Sequence, residues 1–239
     1  MLNLIGIGLS HKNINDEIKS IIKKSDFVYL ENYTSKYDIS VGELEKILNK
    51  KIISADRYLV ENSDEIIKNA VEKNVSFLVI GDVFMATTHM ALFLEARNKK
   101  IKISVIHNVS VLNAVSDSGL SLYHFGKITS IPFNNENIDE PFKVLEMNKK
   151  MGLHTLFLFD LDPEKNKYMT VNQALNYLLK KVKEDEYAVA CSALGTDKQE
   201  IKYGTIKDLI NLKFDKFPQC LVIPGKLHFM ETDFLETIK

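Results

Sequence analysis

At 239 residues, 45% of them hydrophobic, and with a formal net charge of −1, the chain is long enough to bury a full core as one large domain or two small ones. Near-neutral charge removes the usual argument for a nucleic-acid partner: Arg57 and Arg97 are the only arginines, and the lysines are scattered among glutamates and asparagines. No signal peptide is legible, and no apolar run approaches the roughly 18 residues that a membrane-spanning helix needs, so a soluble cytoplasmic protein with no membrane partner is expected.

Apolar runs at 2–7, 27–30, 77–80 and 103–106 are separated by helical patterns near 16–24, 41–49, 63–72 and 86–97. That alternation predicts a mostly parallel sheet covered on both faces. Lysine pairs at Lys23-Lys24, Lys99-Lys100 and Lys149-Lys150 fall at predicted helix ends, where cations complement the terminal carbonyls. After an apolar run at 128–133, the polar segment 134–141 carries consecutive asparagines and a proline and reads as a linker. The rhythm then changes: a helix near 142–150, a strand at 155–159, a long helix over 171–183 and several closely spaced strands predict a mixed sheet. The fold class expected is therefore α/β in two domains, residues 1–134 and 135–239.

The loop GDVFMATTH, Gly81 to His89, follows a short apolar strand, where open parallel sheets hold ligands. Asp82 has the chemistry to accept from a ribose or an amine, or merely to shape the turn; Thr87 and Thr88 are candidates for capping the next helix or for touching substrate. The first strand ends in Gly6-Ile7-Gly8-Leu9-Ser10, which lacks the third glycine of a dinucleotide fingerprint, and Glu31 is only loosely placed as its acidic partner. The glycines still support close approach of backbone to a ligand, with Leu9 able to pack on an apolar ring. The six histidines, His11, His89, His107, His124, His154 and His228, show no metal-ligand spacing, and neither a nucleophile elbow nor a P-loop is present. Cys191 and Cys220 lie in apolar strand-like runs without CxxC spacing and read as buried free thiols.

Taken together, ordered blocks along nearly the whole chain resemble the diphthine synthase family, within the tetrapyrrole-methylase-like class of S-adenosylmethionine-dependent methyltransferases. They are LIGIGLSHKNI from Leu4, YLENYTS from Tyr29, GDVFMATTH, VIHNVSVLNAV from Val105, LYHFGKITSIPF from Leu122, GLHTLFLFDL from Gly152 and IPGKLHFME from Ile223. The resemblance implies two α/β domains with a ligand cleft between them, a homodimer, no metal, and S-adenosyl-L-methionine as methyl donor. Carried over by position, donor binding falls on Leu9, Asp82, Met85, Ser110 and Val111, and on Leu161, Leu194 and His228. The implied acceptor is a histidine of translation elongation factor 2 already extended with a 3-amino-3-carboxypropyl group, methylated repeatedly on its amine to diphthine with release of S-adenosyl-L-homocysteine. Two positions depart from the family pattern: Val83 stands where a proline is common, and Ala193 where an arginine is common. A methyltransferase for a small tetrapyrrole ring, or a non-catalytic adenosylmethionine-binding partner of the translation machinery, are the alternative readings.

Overall fold

Every side chain of the first strand, β1 (Leu2–Gly6), is buried, which is what a strand with helices on both sides requires. In the computed structural model, which describes residues 1–87 and 89–239, the first of two compact units runs from Met1 to Leu112. After β1 come α1 (Asp16–Lys23), β2 (Phe27–Glu31), α2 (Val41–Leu48), β3 (Ile53–Ala55), α3 (Arg57–Glu61), α4 (Asp64–Glu72), β4 (Val75–Val79), α5 (Met90–Asn98) and β5 (Ile103–Ile106). The strands form one parallel sheet in the order β3-β2-β4-β1-β5. Alternation sends Leu4, Phe77 and Val79 into a core on one face and Ile5, Ile7 and Leu78 into a core on the other. The helices begin where the sequence supplies caps: Asn15 accepts from the Ile18 amide, and Ser40 with Glu43 forms a capping box.

Two expected helices are shorter than their apolar patterns: the one predicted over 171–183 ends at Leu178, and another starts late. The helix predicted from residue 86 begins at Met90, because Ala86 is in the left-handed region at φ 59° and residues 82–87 make a loop. Thr87 closes that loop by donating to the Val83 carbonyl at 2.7 Å rather than capping the helix, whose N-cap is His89; Thr88 lies outside the described residues.

A short helix, α6 (Val111–Ala114), is followed in the second unit, Asn113–Lys239, by β6 (Thr129–Ile131), α7 (Glu140–Lys150), β7 (Thr155–Phe159), β8 (Leu161–Asp162), β9 (Lys167–Tyr168), α8 (Val171–Leu178), β10 (Tyr187–Ser192), β11 (Glu200–Thr205), α9 (Ile206–Leu209), β12 (Gln219–Ile223) and α10 (Phe229–Glu236). The sheet order is β11-β10-β12-β7-β6, antiparallel except for the β6–β7 pair. The division falls earlier than residue 134, since β6 pairs with β7 and so belongs to the second sheet. The polar segment after residue 133 therefore connects β6 to α7 within this unit, with Pro141 in the first turn of α7, where its missing N–H costs nothing. Cys191 and Cys220 are buried free thiols facing each other across β10 and β12.

Candidate active site

Three loops leave the carboxyl ends of β1, β4 and β5, which the sheet order sets side by side. Gly8 and Gly81 bridge the first two: the Gly8 amide donates to the Gly81 carbonyl at 3.1 Å and the Gly81 amide returns the bond at 2.9 Å. Both lie at positive φ, +73° and +88°, a conformation that a Cβ would strain. A Cβ on Gly81 would stand 3.7 Å from Cα and Cβ of Ser110 and 3.9 Å from Cδ2 of Leu9, so Leu9, Gly81 and Ser110 form one cluster. Asn108 ties the loops together, its side-chain amide donating to the Gly6 carbonyl at 3.0 Å and to that of Asn13 at 3.2 Å. The one local signal for Asn108 in the sequence is an asparagine two residues past the end of β5.

Asp82 is almost fully buried, and its carboxylate is already engaged. Oδ2 accepts from His107 Nδ1 at 2.8 Å and from the Asn108 amide at 3.0 Å, while Oδ1 accepts from the Phe84 amide at 3.1 Å. A carboxylate has about four acceptor positions, so Asp82 both shapes the turn and keeps capacity for one more donor. Met85 is about half exposed at the loop tip, and Val111 opens α6. Val83 is wholly buried in the core of one sheet face. Ser10 and His11 continue the β1 loop: the Ser10 hydroxyl and His11 Nδ1 both donate to Asp38 Oδ2 at 2.7 Å, and the His11 amide donates to Oδ1 at 3.0 Å.

Two other groups are structural. Glu31 is buried and its carboxylate accepts from the amides of Tyr33 and Thr34 and the hydroxyl of Thr34, holding a turn rather than a ribose. His89 packs edge-on against Phe77 with ring centres 5.3 Å apart, and burial pushes its pKa below the ordinary value against the opposing pull of Glu31, so it is a neutral core histidine.

In the second unit, strand direction separates the expected residues. β12 runs antiparallel to both β7 and β10, with Ser192 opposite Gln219 and Thr155 opposite Ile223. Leu161 and Leu194 therefore follow the edge where β7 and β10 end and β12 begins at the buried Gln219. His228 lies past the opposite edge: the Gly225 amide donates to His154 Nδ1 at 2.9 Å, and Lys226 donates to the Gly152 carbonyl at 3.0 Å. Ala193 is buried at φ 48° directly after β10.

His228 caps α10 and lines a pocket of about 480 Å³ with Ser116, Ser121, His124 and Glu231. Burial alone would raise the Glu231 pKa, but the amides of His228 and Ser121 and the ring of His154 outweigh it and hold the carboxyl below its ordinary value. His124, His154 and Glu231 bring three potential ligand atoms within 4.8 Å of one another. A cation is poorly matched there: His154 Nδ1 accepts an amide N–H, so Nε2 must carry the proton that it donates to Glu231 at 3.2 Å. Metal-bound histidines do the reverse, donating from the nitrogen that does not bind the ion.

Residues 1–210 match the tetrapyrrole (corrin/porphyrin) methylases family. The chain is similar to the diphthine synthase of Methanocaldococcus jannaschii, at 41% identity over 99% of this chain and 98% of that one. It is also similar to the diphthine methyl ester synthase of Dictyostelium discoideum, at 36% identity over 100% of this chain and 98% of the other. Among solved structures, one of diphthine synthase superposes with a TM-score of 0.93 at 33% identity, covering 99% of this chain and 95% of that chain. The chain thus belongs to the diphthine synthases of the tetrapyrrole methylase family and is an S-adenosylmethionine-dependent methyltransferase of diphthamide biosynthesis.

Proposed function

We propose that the loop cluster at the carboxyl edge of the first sheet holds S-adenosyl-L-methionine, and that the acceptor is the amine of the 3-amino-3-carboxypropyl-histidine of elongation factor 2. The observation that carries this reading is the meeting of Leu9 and Ser110 around Gly81, beside a buried carboxylate with one acceptor position left. The residues suit an adenosine: backbone free of Cβ for close approach, an apolar side chain for a ring, and Asp82 for a hydroxyl or amine donor. Met85 and Val111 complete the set in the first unit, and Leu161 and Leu194 are the residues offered by the second. His228, which lines a pocket with Glu231 past the other edge of its sheet, stays in the proposed donor set as the resemblance implies.

The sulfonium of the donor supplies an activated methyl group, so the chain's task is to hold an unprotonated amine in line with that carbon. Repeated methylation yields diphthine, and S-adenosyl-L-homocysteine leaves after each cycle. We place the enzyme in the cytoplasm, as a homodimer; no helix among the described residues is long and apolar enough to cross a membrane.

Incubation with labelled S-adenosylmethionine and either modified elongation factor 2 or a precorrin-type substrate tests the reading. Label is expected on the elongation factor, stable to alkali as N-methyl groups are. Label on the small ring alone, or on neither substrate, would reject it in favour of a tetrapyrrole methyltransferase or a non-catalytic binding partner; alkali-labile label alone would move the acceptor to the carboxylate.

A further inference from the structure

An amine offered to a methyl donor at neutral pH arrives as ammonium, and each methylation leaves a new ammonium that must lose its proton before the next. The loop after β1 carries a histidine paired with an aspartate. His11 lies two residues beyond Leu9, in the turn whose last member, Asn13, is tied by its carbonyl to Asn108 and lies against Gly8. Among the described residues its ring is held at one nitrogen: Nδ1 meets Asp38 Oδ2 at 2.7 Å. A carboxylate can only accept, so a hydrogen sits on Nδ1, and in the neutral ring the lone pair is then on Nε2 of a side chain 35% exposed. Asp38 is itself fixed by the Ser10 hydroxyl and the His11 amide and is 10% exposed, so the ring cannot swing without breaking a braced carboxylate free. This is the pairing by which a buried aspartate fixes the tautomer of a basic histidine.

We propose that His11 is the base that takes the proton of the acceptor ammonium, with Asp38 positioning it; the inference rests on the amine-methylation reading above. The proton moves from the ammonium to His11 Nε2, which frees the nitrogen lone pair. That pair forms the new N–C bond as the S–CH3 bond breaks, and the electrons of the broken bond stay on sulfur. His11 then returns its proton to solvent, and the N-methylammonium product re-enters the same cycle.

Two measurements test this. In the ligand-free protein, long-range proton–nitrogen NMR at alkaline pH, where an imidazole is neutral, is expected to place the His11 hydrogen on Nδ1; a hydrogen on Nε2 instead overturns the proposal. With modified elongation factor 2 as acceptor, H11Q should lose about 100-fold in kcat, the lower end of what a positioned base contributes. Its affinity for S-adenosylmethionine by calorimetry should be unchanged, and added imidazole should restore turnover to H11A. Wild-type turnover in H11Q, or a loss in H11A that imidazole leaves untouched, overturns the assignment. If the wild type itself transfers no methyl group to the modified factor, the amine reading fails first and this inference falls with it.

Discussion

Asp82 and His107 are joined at 2.8 Å across the loops that follow β4 and β5, with the aspartate buried and the imidazole 65% exposed. The pair has one solvent-facing end and one braced end. Replacing Asp82 by Ala removes the acceptor for His107, Asn108 and Phe84 together, so two functions should fall at once. Loss of a buried charge-assisted hydrogen bond predicts donor binding weaker by about 1–3 kcal/mol in D82A. Calorimetry on D82A beside D82N separates the parts, since asparagine retains an acceptor for the Phe84 turn but lacks the charge. Unchanged donor affinity in both would reduce Asp82 to a turn residue.

Gly6 and Gly42 make a second, internally controlled test. A Cβ on Gly6 would lie 2.7 Å from the Gly81 carbonyl oxygen and 3.2 Å from Asn108, pushing apart the loops that cluster Leu9 with Ser110. Nothing lies within 4 Å of the same atom on Gly42, in the first turn of α2. G42A should therefore stabilise the fold by about 0.4–1 kcal/mol through lower unfolded-chain entropy, while G6A should both lower the melting temperature and weaken donor binding. Equal thermal shifts for the two variants would show that the β1 loop tolerates displacement.

Much of the first sheet is legible because parallel strands buried on both faces leave continuous apolar runs, and the run at 2–7 contains β1, buried throughout. β3 escapes that logic, since Ile53 and Ser54 are exposed and three residues show no period. The late start of α5 escapes it too, because apolar spacing through Ala86 suits a helix while its backbone turns left-handed. In the site, the glycines and Asp82 are legible as strand-end punctuation, but the staple of Asn108 and the pairing of His11 with Asp38 depend on contacts between residues far apart in the chain. His228 illustrates the opposite limit: a motif fixes its neighbours in sequence, whereas the direction of β12 decides which edge of the sheet it reaches.

Acid should weaken the fold in two stages. Burial lowers the pKa of His154 and of His89 below 6.5, so as pH falls through that value the unfolded chain takes up protons that the folded chain refuses. Glu231, held below its ordinary 4.5, keeps its stabilising contribution above that pH and loses it as pH falls toward the folded value. The melting temperature is expected to decline already between about pH 7 and about pH 5, before ordinary carboxylates titrate, and to drop again below 4.5. A flat profile across the first interval would mean that both histidines are charged in the folded protein.

Large apolar side chains remain on the surface of the second unit, with Tyr123 96% and Phe229 66% exposed. Such residues are commonly covered by a partner, and closed twofold pairing is the commonest solution for identical chains. Light scattering at micromolar concentration is expected to give about twice the 27.3 kDa chain mass, and a charge placed at Phe229 should shift the species toward monomer. A wild-type mass near 27.3 kDa would exclude the dimer.

Recognition of the large acceptor should depend little on long-range attraction. With a net charge of −1 and two arginines in 239 residues, the chain has no strong field with which to steer a partner, so affinity must come from shape and from the amino-carboxypropyl group entering the site. Turnover is therefore expected to change only weakly between roughly 50 and 200 mM salt, a range over which screening sharply slows a steered encounter. The same reasoning makes prior extension of the histidine indispensable, because a bare imidazole offers no primary amine to the donor methyl. Comparable methyl incorporation into unextended elongation factor 2 would contradict the amine as acceptor, whereas a steep fall in rate with salt would leave the acceptor intact and point to a local charged patch at the docking face.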